Sequence, residues 1–357
     1  MNKKNQLIYV YPSNSSFIQN DIDFLSKKYN VLVNTSSWSN KILLPKNLLS
    51  QFFFFLFEIR KTKFIIVSFG GYWSLIPSVF GKIFNVPVYI ILNGTDCVSF
   101  PNYNYGSIRK SLLRYFIKKT YFFATKLLPV SETLIFDNYT YSDNCKYSNQ
   151  GFKYHFPNLK TAYEICYNGF DFNKWVAPKD YRRKPNSFIT VASIKNDVTY
   201  FMKGIDRFIE LATLFKNCSF TIVGISKEML SSINNLPQNV NAFDFLNQED
   251  LNKKYHENSF YIQLSINEGF GCSLCEAMLA GCIPIGSNVG IIEKIIGKSG
   301  FILEKDNIDL ISQTLQKALN LTDKERAILS EISKKRIVEN FSIKRREKQI
   351  IQILESK

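Results

Sequence analysis

The chain has 357 residues, enough for two ordinary domains, and its balance of 45% hydrophobic to 21% charged residues predicts a packed globular protein and excludes wholesale disorder. The formal net charge is +15, and it is uneven, because residues 1–170 carry 19 basic but only 8 acidic side chains. A basic half of this kind attracts a polyanion, a phosphorylated substrate or an anionic membrane surface.

Short apolar runs alternate with stretches of helical period along the whole chain. Most runs are continuously apolar, as expected of strands buried on both faces of a parallel sheet. The predicted strands are Gln6–Tyr11, Asn30–Asn34, Phe64–Ser68, Val88–Leu92, Leu127–Val130, Ser187–Ala192, Ser219–Val223, Val240–Phe243, Phe260–Leu264 and Ile283–Gly286. Helical patterns between them include Ile108–Phe123, Gly204–Phe215 and Ser273–Ala280. This alternation predicts an α/β protein with two doubly wound parallel sheets.

The boundary between the two sheets is predicted at residues 171–186. This stretch is polar, contains two prolines and keeps no period, which is typical of a linker. It separates an N-terminal domain, residues 1–170, from a C-terminal domain, residues 187–335. Residues 336–357 are predicted to form a C-terminal helix in a position to cross back to the N-terminal domain.

Two aromatic stretches of the N-terminal domain bear on membrane contact. No apolar run approaches the roughly 20 residues that span a bilayer, and Phe52–Phe57 is predicted to be a buried helix packed on the sheet. The stretch Arg109–Lys126 has two interpretations, a core helix with a charged outer face or a surface for anionic lipid headgroups or a lipid-diphosphate acceptor. The basic residues concerned are Arg109, Lys110, Arg114, Lys118 and Lys119.

The best candidate for a ligand site follows the predicted strand Phe260–Leu264. The sequence SINEGFGCSLCEA, residues 265–277, runs from a strand through a glycine-containing turn into a helix. Ligands of open α/β sheets bind beyond the carboxyl ends of the strands, and such a turn aims backbone N–H groups and the positive helix end at an anion such as a diphosphate. Gly269 and Gly271 permit close backbone approach. The site is therefore predicted to bind a phosphorylated ligand.

Two glutamates flank this turn. Glu268 and Glu276 could accept hydrogen bonds from the hydroxyls of a sugar ring and a ribose. The alternative is that Glu276 is a solvated helix residue and the glycines merely shape a turn. Glu276 stands among apolar residues, where an unpaired carboxylate is costly, and this favours a ligand or a partner.

Residues 265–290, SINEGFGCSLCEAMLAGCIPIGSNVG, resemble the donor-binding motif of glycosyltransferase family 4, which has the GT-B fold. The hallmark of that motif is two glutamates separated by seven residues, here Glu268 and Glu276. Further landmarks follow the family's order: PVSE at 129–132, NGFD at 168–171, KGID at 203–206 and FTIVG at 220–224. The resemblance covers nearly the whole C-terminal domain and thins out before about residue 85.

The resemblance implies two Rossmann-like domains facing a central cleft, and retaining transfer of a sugar from a nucleoside-diphosphate sugar without a metal ion or other cofactor. In the catalytic pair, Lys203 would neutralise the donor pyrophosphate and Glu268 would contact the transferred sugar. Glu276 would contact the ribose. The backbone of Gly269, Phe270 and Gly271 would hold the phosphates, and Phe245 and Leu246 would lie beside the nucleobase.

The sequence departs from the family pattern in two places. Ser193 stands where an arginine is usual, and Lys195 is a candidate replacement, although lysine is a point charge rather than a bidentate fork. The segment from Asn93 to Asp96, NGTD, replaces a motif in which many relatives have a histidine. Asn93 and Asp96 are therefore weak candidates for the acceptor side, and no general base is assigned.

Charge and the habit of the family together imply a lipid-linked or surface-polysaccharide acceptor, an anionic membrane surface as partner, and a cytoplasmic enzyme held peripherally on the inner membrane face. No nucleic acid is expected as a partner. Seven irregularly spaced cysteines agree with a reducing compartment, and the single pair Cys272 and Cys275 lacks the second pair that a zinc site needs. The alternatives are a nucleotide-sugar epimerase of the same fold, which relies on histidines scarce in this chain, and a non-catalytic nucleic-acid-binding protein, although no recognition module is present.

Overall fold

A computed structural model of the protein describes residues 5–179 and 181–356. It contains two separate parallel sheets, one in each half of the chain, with helices around both. The predicted pair of doubly wound α/β sheets is confirmed. The ten predicted strands are all present, most with bounds shifted by one to three residues.

The N-terminal sheet has five parallel strands in the order β2-β1-β3-β4-β5. Its strands are β1 (Gln6–Val10), β2 (Asn30–Asn34), β3 (Thr62–Ser68), β4 (Val88–Leu92) and β5 (Lys126–Pro129). Its helices are α1 (Ser16–Ser26), α2 (Leu44–Glu58), α3 (Tyr72–Phe84) and α4 (Ser111–Phe123). After β5 come a two-residue antiparallel pair, β6 (Asp137–Asn138) and β7 (Asn149–Gln150), and the short helix α5 (Phe152–His155).

The C-terminal sheet has six parallel strands in the order β10-β9-β8-β11-β12-β13. They are β8 (Lys184–Ile194), β9 (Ser219–Ile225), β10 (Val240–Phe243), β11 (Asn258–Gln263), β12 (Ile283–Ser287) and β13 (Phe301–Leu303), the last being absent from the predicted set because a three-residue run gives no period. The helices are α6 (Asp197–Met202), α7 (Ile205–Leu214), α8 (Lys227–Ser231), α9 (Gln248–Glu257), α10 (Cys272–Leu279), α11 (Ile292–Ile296), α12 (Ile308–Leu319), α13 (Asp323–Asn340) and α14 (Ile343–Glu355).

The segment between the sheets is mostly irregular, with one turn of 3-10 helix at Phe172–Trp175. The last residues of the predicted linker already belong to β8, which begins at Lys184. The α13 helix ends beside this segment, because Phe170 donates its N–H to the Phe341 carbonyl at 2.8 Å and accepts from Ile343 at 2.9 Å. The chain then continues as α14, which packs against α1 of the N-terminal domain.

A buried ion pair fixes α14 to the N-terminal domain. The Arg346 guanidinium donates to both carboxylate oxygens of Asp21 on α1, at 2.6 and 2.7 Å, and both side chains are almost fully buried. Its remaining nitrogen donates to the carbonyls of Cys166 and Tyr167, and Tyr9 donates to Asp21 at 3.1 Å. A buried charge pair is stable only with such additional hydrogen bonds.

The prediction that Phe52–Phe57 forms a buried helix is wrong in one respect. These residues do lie in a helix, α2, but Phe52, Phe53 and Phe57 are exposed by 42%, 48% and 69%, and α2 buries only the face that carries Phe55. Together with the 3-10 turns at its ends it forms a 21-residue helical stretch, Lys41–Lys61, that is long and apolar enough to cross a membrane by length and composition alone. The expectation that no segment reaches this length is also wrong, because those turns extend the helix.

Candidate functional site

A cleft of about 320 Å³ lies between the two domains, at the carboxyl ends of both sheets. The N-terminal domain contributes the loop after β4, with Asn93, Thr95 and Tyr105, and the C-terminal domain contributes the ends of β8 and β11 and the start of α10. This is the location at which open α/β sheets bind their ligands.

The centre of the cleft is an ion pair between Lys203 and Glu268. Lys203 follows α6, and its Nζ lies 2.5 Å from Glu268 Oε1, to which Ser265 also donates at 2.7 Å. Burial lowers the pKa of Lys203, but the Glu268 carboxylate and, after it, Tyr105 raise it, so that the net pKa lies above its ordinary value. Lys203 is therefore a fixed positive charge. The two residues predicted as the catalytic pair are in direct contact.

The turn after Glu268 places the start of α10 against the cleft. Gly271, the residue before the helix, has a φ of +96°, and a Cβ there would lie 2.6 Å from Ile292 Cδ1. Residues 269–273 all line the cleft, so the positive end of α10 faces it. This is the arrangement that favours an anionic ligand.

Gly269 has a second function that the sequence did not reveal. A Cβ at this position would lie 1.9 Å from the Asn93 carbonyl oxygen of the other domain. The Gly269 carbonyl accepts a hydrogen bond from Ser131, also of the N-terminal domain, at 2.9 Å. Gly269 thus allows the two domains to meet at the edge of the cleft.

Glu276 lies in the middle of α10 and is partly buried. Burial raises its pKa to about 8, against the opposing effects of the Tyr255 hydroxyl and the Lys174 charge. Without a ligand this carboxyl keeps its proton at neutral pH. It is not one of the residues that line the 320 Å³ cleft.

Three amide side chains of the cleft have a buried polar atom without a hydrogen-bond partner in the described chain. These atoms are Asn93 Oδ1, Asn168 Oδ1 and Gln263 Nε2. Buried polar groups are almost always paired, so unpaired ones in a cleft indicate a ligand with hydroxyl groups or bound water. Asn93 and the NGFD motif that contains Asn168 were noted in the sequence. Gln263 was missed, and its signal is a glutamine in an otherwise apolar strand.

Of the other predicted donor residues, some line the cleft and others lie outside it. Ser193 lines it, whereas Lys195 is an exposed residue whose N–H is bonded to Thr199 Oγ1 at 3.0 Å. Phe245 and Leu246 follow β10, at the carboxyl edge of the same sheet, and Phe245 is 86% exposed. None of Lys195, Phe245 and Leu246 lines the cleft.

The suggestion that Asp96 faces an acceptor requires correction. Asp96 is completely buried, and its carboxylate accepts hydrogen bonds from the N–H groups of Gly70 and Gly94 at 2.8 and 3.2 Å and from Tyr121 at 3.0 Å. It fixes the loops below the cleft. Its pKa is raised by burial.

Neither histidine lies at the cleft. Burial lowers the pKa values of His155 and His256 to about 4. Within the described residues, no group of three or more His, Cys, Asp or Glu side chains could hold a metal ion. The seven cysteines have free thiols, and Cys272 and Cys275 lie at the start of α10.

Comparison with known proteins places this site in context. Residues 174–336 match the family model described as glycosyl transferases group 1. The matched residues include most of the C-terminal domain. A comparison with curated proteins gave no match.

Solved structures agree with the fold over nearly the whole chain. Anabaena HepE in complex with UDP-glucose is 13% identical, with a TM-score of 0.74 and coverage of 99% of this chain and 100% of that one. Sucrose-phosphate synthase from Thermosynechococcus elongatus is 12% identical, with a TM-score of 0.77 and 98% coverage of both chains. A glycosyltransferase from Rickettsia africae is 14% identical, with a TM-score of 0.66 and coverage of 99% and 98%. The fold is GT-B, and together with the domain match it supports a glycosyltransferase.

Proposed function

We propose that the protein is a retaining glycosyltransferase of family 4 that transfers a sugar from a nucleoside-diphosphate sugar to a lipid-linked or surface-polysaccharide acceptor. The observation that carries this proposal is the Lys203–Glu268 pair beside the N-terminus of α10, in a cleft between two Rossmann-like sheets. Lysine and helix N-termini stabilise phosphate, and a carboxylate binds sugar hydroxyls.

The donor diphosphate binds where the start of α10 and Lys203 face the cleft. Lys203 turns from Glu268 to the phosphates, so the partly buried cation exchanges one anionic partner for another. Glu268 then accepts hydrogen bonds from the sugar, with Asn93 and Gln263 offering unpaired amide atoms nearby. The ion pair thus holds both groups in place until the donor arrives.

The reaction proceeds on the face of the sugar from which the diphosphate leaves. Negative charge develops on the leaving diphosphate, and Lys203 and the backbone N–H groups of residues 269–273 stabilise it. A phosphate oxygen assists the acceptor hydroxyl, because neither histidine lies at the cleft. This route keeps the anomeric configuration.

The nucleoside extends from the cleft along α10 and the end of β10. Glu276 accepts hydrogen bonds from the ribose hydroxyls, and Phe245, a highly exposed aromatic ring, covers the nucleobase with Leu246. Ser193, near the end of β8, and Lys195, directly after the strand, approach the phosphates from the opposite side.

The proposal is tested by incubating the protein with a panel of nucleotide sugars and measuring hydrolysis and thermal stabilisation. UDP-glucose comes first, because HepE is a structural neighbour whose complex contains it. At least one donor should raise the unfolding temperature and be hydrolysed slowly. A panel without binding or hydrolysis would refute the donor site, and inversion at the anomeric carbon would refute retention.

We also propose that catalysis needs no metal ion, since Lys203 and α10 supply the positive charge at the phosphates. Activity should survive exhaustive treatment with EDTA. Loss of activity that manganese or magnesium restores would contradict this.

We propose that the enzyme works in the cytoplasm, peripherally on the inner membrane face, through one helical layer of the N-terminal domain. The α3 helix packs between α2 and α4, and the outer surface of the three helices is here called the aromatic face. Its exposed apolar residues are Leu49, Phe52, Phe53, Leu56, Phe57, Ile83, Phe84, Leu112, Tyr115 and Phe122. The same helices carry five basic residues, Lys46, Lys82, Arg114, Lys118 and Lys119, against the single acid Glu58.

Apolar rings surrounded by cations suit an anionic lipid surface. The α2 helix lies flat rather than across the bilayer, because Phe55 on its inner side packs on Phe80 of α3, and Gln51 donates to Asn34 and to the Trp73 carbonyl. Spanning a membrane would expose these polar contacts to lipid.

Two alternatives remain distinguishable by experiment. A nucleotide-sugar epimerase of the same fold would convert the donor in the absence of an acceptor, which product analysis of the panel detects. A nucleic-acid-binding protein would shift DNA in gels at nanomolar concentration with strong salt dependence. The position of the basic helices beside exposed aromatic rings favours the membrane instead.

A further inference from the structure

A second cavity, about 530 Å³, lies in the N-terminal domain behind the loop that forms one wall of the cleft. The loop between β4 and α4 is shared: Asn93, Thr95 and Tyr105 face the cleft, whereas Ser99, Pro101 and Arg109 face this cavity. We call it the basic pocket. Its lining is Ser99, Pro101, Ile108, Arg109, Arg114, Lys146, Tyr147, Tyr154 and His155.

The basic pocket is lined by cations from two segments of the chain. Arg109 precedes α4, Arg114 is in its first turns, and Lys146 lies between β6 and β7. No carboxylate is among the lining residues. None of the three cations forms a salt bridge within the described residues, so their charges are uncompensated. Three like charges around one cavity repel each other, so this arrangement favours binding of an anion among them.

An unpaired nitrogen of Arg109 is a second, independent indication that the pocket binds an anion. Arg109 Nε is buried and has no hydrogen-bond partner in the described chain. Buried guanidinium N–H groups are rarely left unpaired, since each loses its water without replacement. Arg114 is fixed differently, because its guanidinium donates to the His155 carbonyl at 3.0 Å and lies over Phe156. The pocket therefore has one cation with a free donor and one held rigidly beside it.

Aromatic rings form the other wall. Tyr147 and Tyr154 both contact the ring of His155 edge-on, with centroids 6.3 and 5.0 Å apart, and Lys146 lies over Tyr147. His155 also faces Gln150 Oε1 at 3.2 Å. The volume exceeds that of a bare phosphate, and the tyrosines present ring faces and hydroxyls suited to a group attached to it.

We infer that the basic pocket binds the phosphoryl or diphosphoryl group of a ligand other than the sugar donor, held by Arg109, Arg114 and Lys146. Guanidinium groups match phosphate oxygens in bidentate geometry, and lysine adds a point charge. The ligand is either a soluble phosphorylated molecule or the headgroup of an anionic lipid. This site stands whether or not the cleft transfers a sugar, because no residue is shared between the two linings.

The histidines provide a local reporter of this site. The chain contains only His155 and His256, so their imidazole NMR signals can be assigned with one substitution. Inorganic pyrophosphate titrated into the full chain should shift the His155 signal saturably, while His256, in the other domain, serves as an internal reference. Binding of the anion should also raise the pKa of His155, which burial and the Arg114 charge now hold down.

Substitutions test the assignment. Arg109→Gln and Lys146→Gln should each weaken pyrophosphate binding roughly tenfold, the loss expected of one charge-assisted contact. Lys160→Gln is the matched control, because Lys160 is exposed, basic and outside the pocket. Lys146 is an exposed side chain, so its loss leaves the fold intact, and an unchanged unfolding temperature verifies this.

A second arm separates the two sources of the phosphoryl group. Vesicles of phosphatidylcholine with phosphatidylglycerol are compared with pyrophosphate. A saturable shift with pyrophosphate assigns a soluble ligand, and a response to the vesicles alone, lost in Lys146→Gln, assigns a lipid headgroup. The proposal is overturned if neither probe moves the His155 signal, or if both variants respond like wild type.

Discussion

The two domains share one fold type, but the core of the C-terminal sheet and the outer helices of the N-terminal domain differ in where they place their aromatic residues. In the C-terminal domain, Phe188, Phe220 and Phe260 are fully buried and stack at 5.1–5.2 Å across neighbouring strands. In the N-terminal domain, α2 exposes Phe53 and Phe57 to solvent. Aromatic rings that could have been buried at a gain of a few kcal/mol each are left outside, and this exposure is the basis of the membrane contact proposed above.

The two domains also differ in the arrangement of their cations. The cation at the ligand site of the C-terminal domain, Lys203, is partly buried and paired with Glu268. The N-terminal domain spreads unpaired cations over the aromatic face and into the basic pocket. This contrast is what we expect if one domain binds a small anionic ligand and the other contacts an extended anionic surface, as proposed above.

The largest effect is expected from removing the buried ion pair that holds α14 on the N-terminal domain. Arg346→Met would leave Asp21 charged, buried and without its partner. We expect the free energy of unfolding of the N-terminal domain to fall by about 3–5 kcal/mol, the usual result of removing one member of a buried pair. Urea denaturation measures this.

Arg345→Met is the matched control, because Arg345 is an exposed neighbour on the same helix. Equal stability of the two variants would mean that α14 is merely attached to the surface. The two domains would then be energetically independent.

The next prediction concerns the cleft. Glu268→Ala should lower turnover by roughly 100-fold, because contacts to the sugar that strengthen in the transition state are lost. Nucleotide binding should persist, since Lys203 loses its internal partner and remains available to the diphosphate. Steady-state kinetics and calorimetry with UDP separate the two effects. Glu249→Ala, which removes a carboxylate that is 80% exposed, should change neither, and wild-type turnover in Glu268→Ala would remove the catalytic assignment.

The sequence was most informative where the chain is buried on all sides. Continuous apolar runs located the strands, and the glycine-containing turn between β11 and α10 located the cleft, because local residues alone create that geometry. The resemblance implied that Lys203 and Glu268 belong to one site, but it did not predict that these side chains, 65 residues apart, form an ion pair.

Other features depend on distant segments and could not be predicted. The basic pocket forms because Lys146 and Arg109, from separate segments, line the same cavity. The need for glycine at position 269 is visible only with the opposite domain in place, because that domain leaves no room for a side chain. The exposure of α2 was missed because apolar composition does not reveal which face finds a partner. Asp96 looked available in sequence, but backbone N–H groups of Gly70 and Gly94 occupy it.

The third prediction tests Glu276 by pH. Its folded pKa of about 8 lies well above the ordinary value of 4.5, so the folded protein holds a proton that the unfolded chain has lost. The contribution of this group to the free energy of unfolding is complete below about pH 4.5. It declines as pH rises, by no more than roughly 1.4 kcal/mol per pH unit, and is gone above about pH 8. Glu276→Gln should abolish this decline.

The same carboxyl makes nucleotide binding depend on pH. The ribose hydroxyls favour the charged form, so affinity for UDP-glucose, whose diphosphate does not titrate in this range, should rise between pH 6 and 8 by at most tenfold per unit, and then level off. Calorimetry at several pH values measures it. In Glu276→Gln the affinity should be weaker by about 1–3 kcal/mol and independent of pH, and a pH dependence that survives this substitution would place the titrating group elsewhere.

The smallest expected effect concerns the aromatic face. Lys118 is exposed on α4, beside Tyr115 and Phe122, and each cation near an anionic membrane contributes roughly 1 kcal/mol. Lys118→Gln should therefore weaken partitioning to phosphatidylglycerol vesicles about fivefold in a sedimentation assay. The binding of wild type should also weaken as salt rises, because exposed charges are screened beyond about 10 Å at 0.1 M. Lys317→Gln removes an equally exposed cation from α12 of the other domain and should have no effect. If the two variants bind alike, membrane attraction follows from total charge rather than from this face, and the contrast between the domains loses its functional meaning.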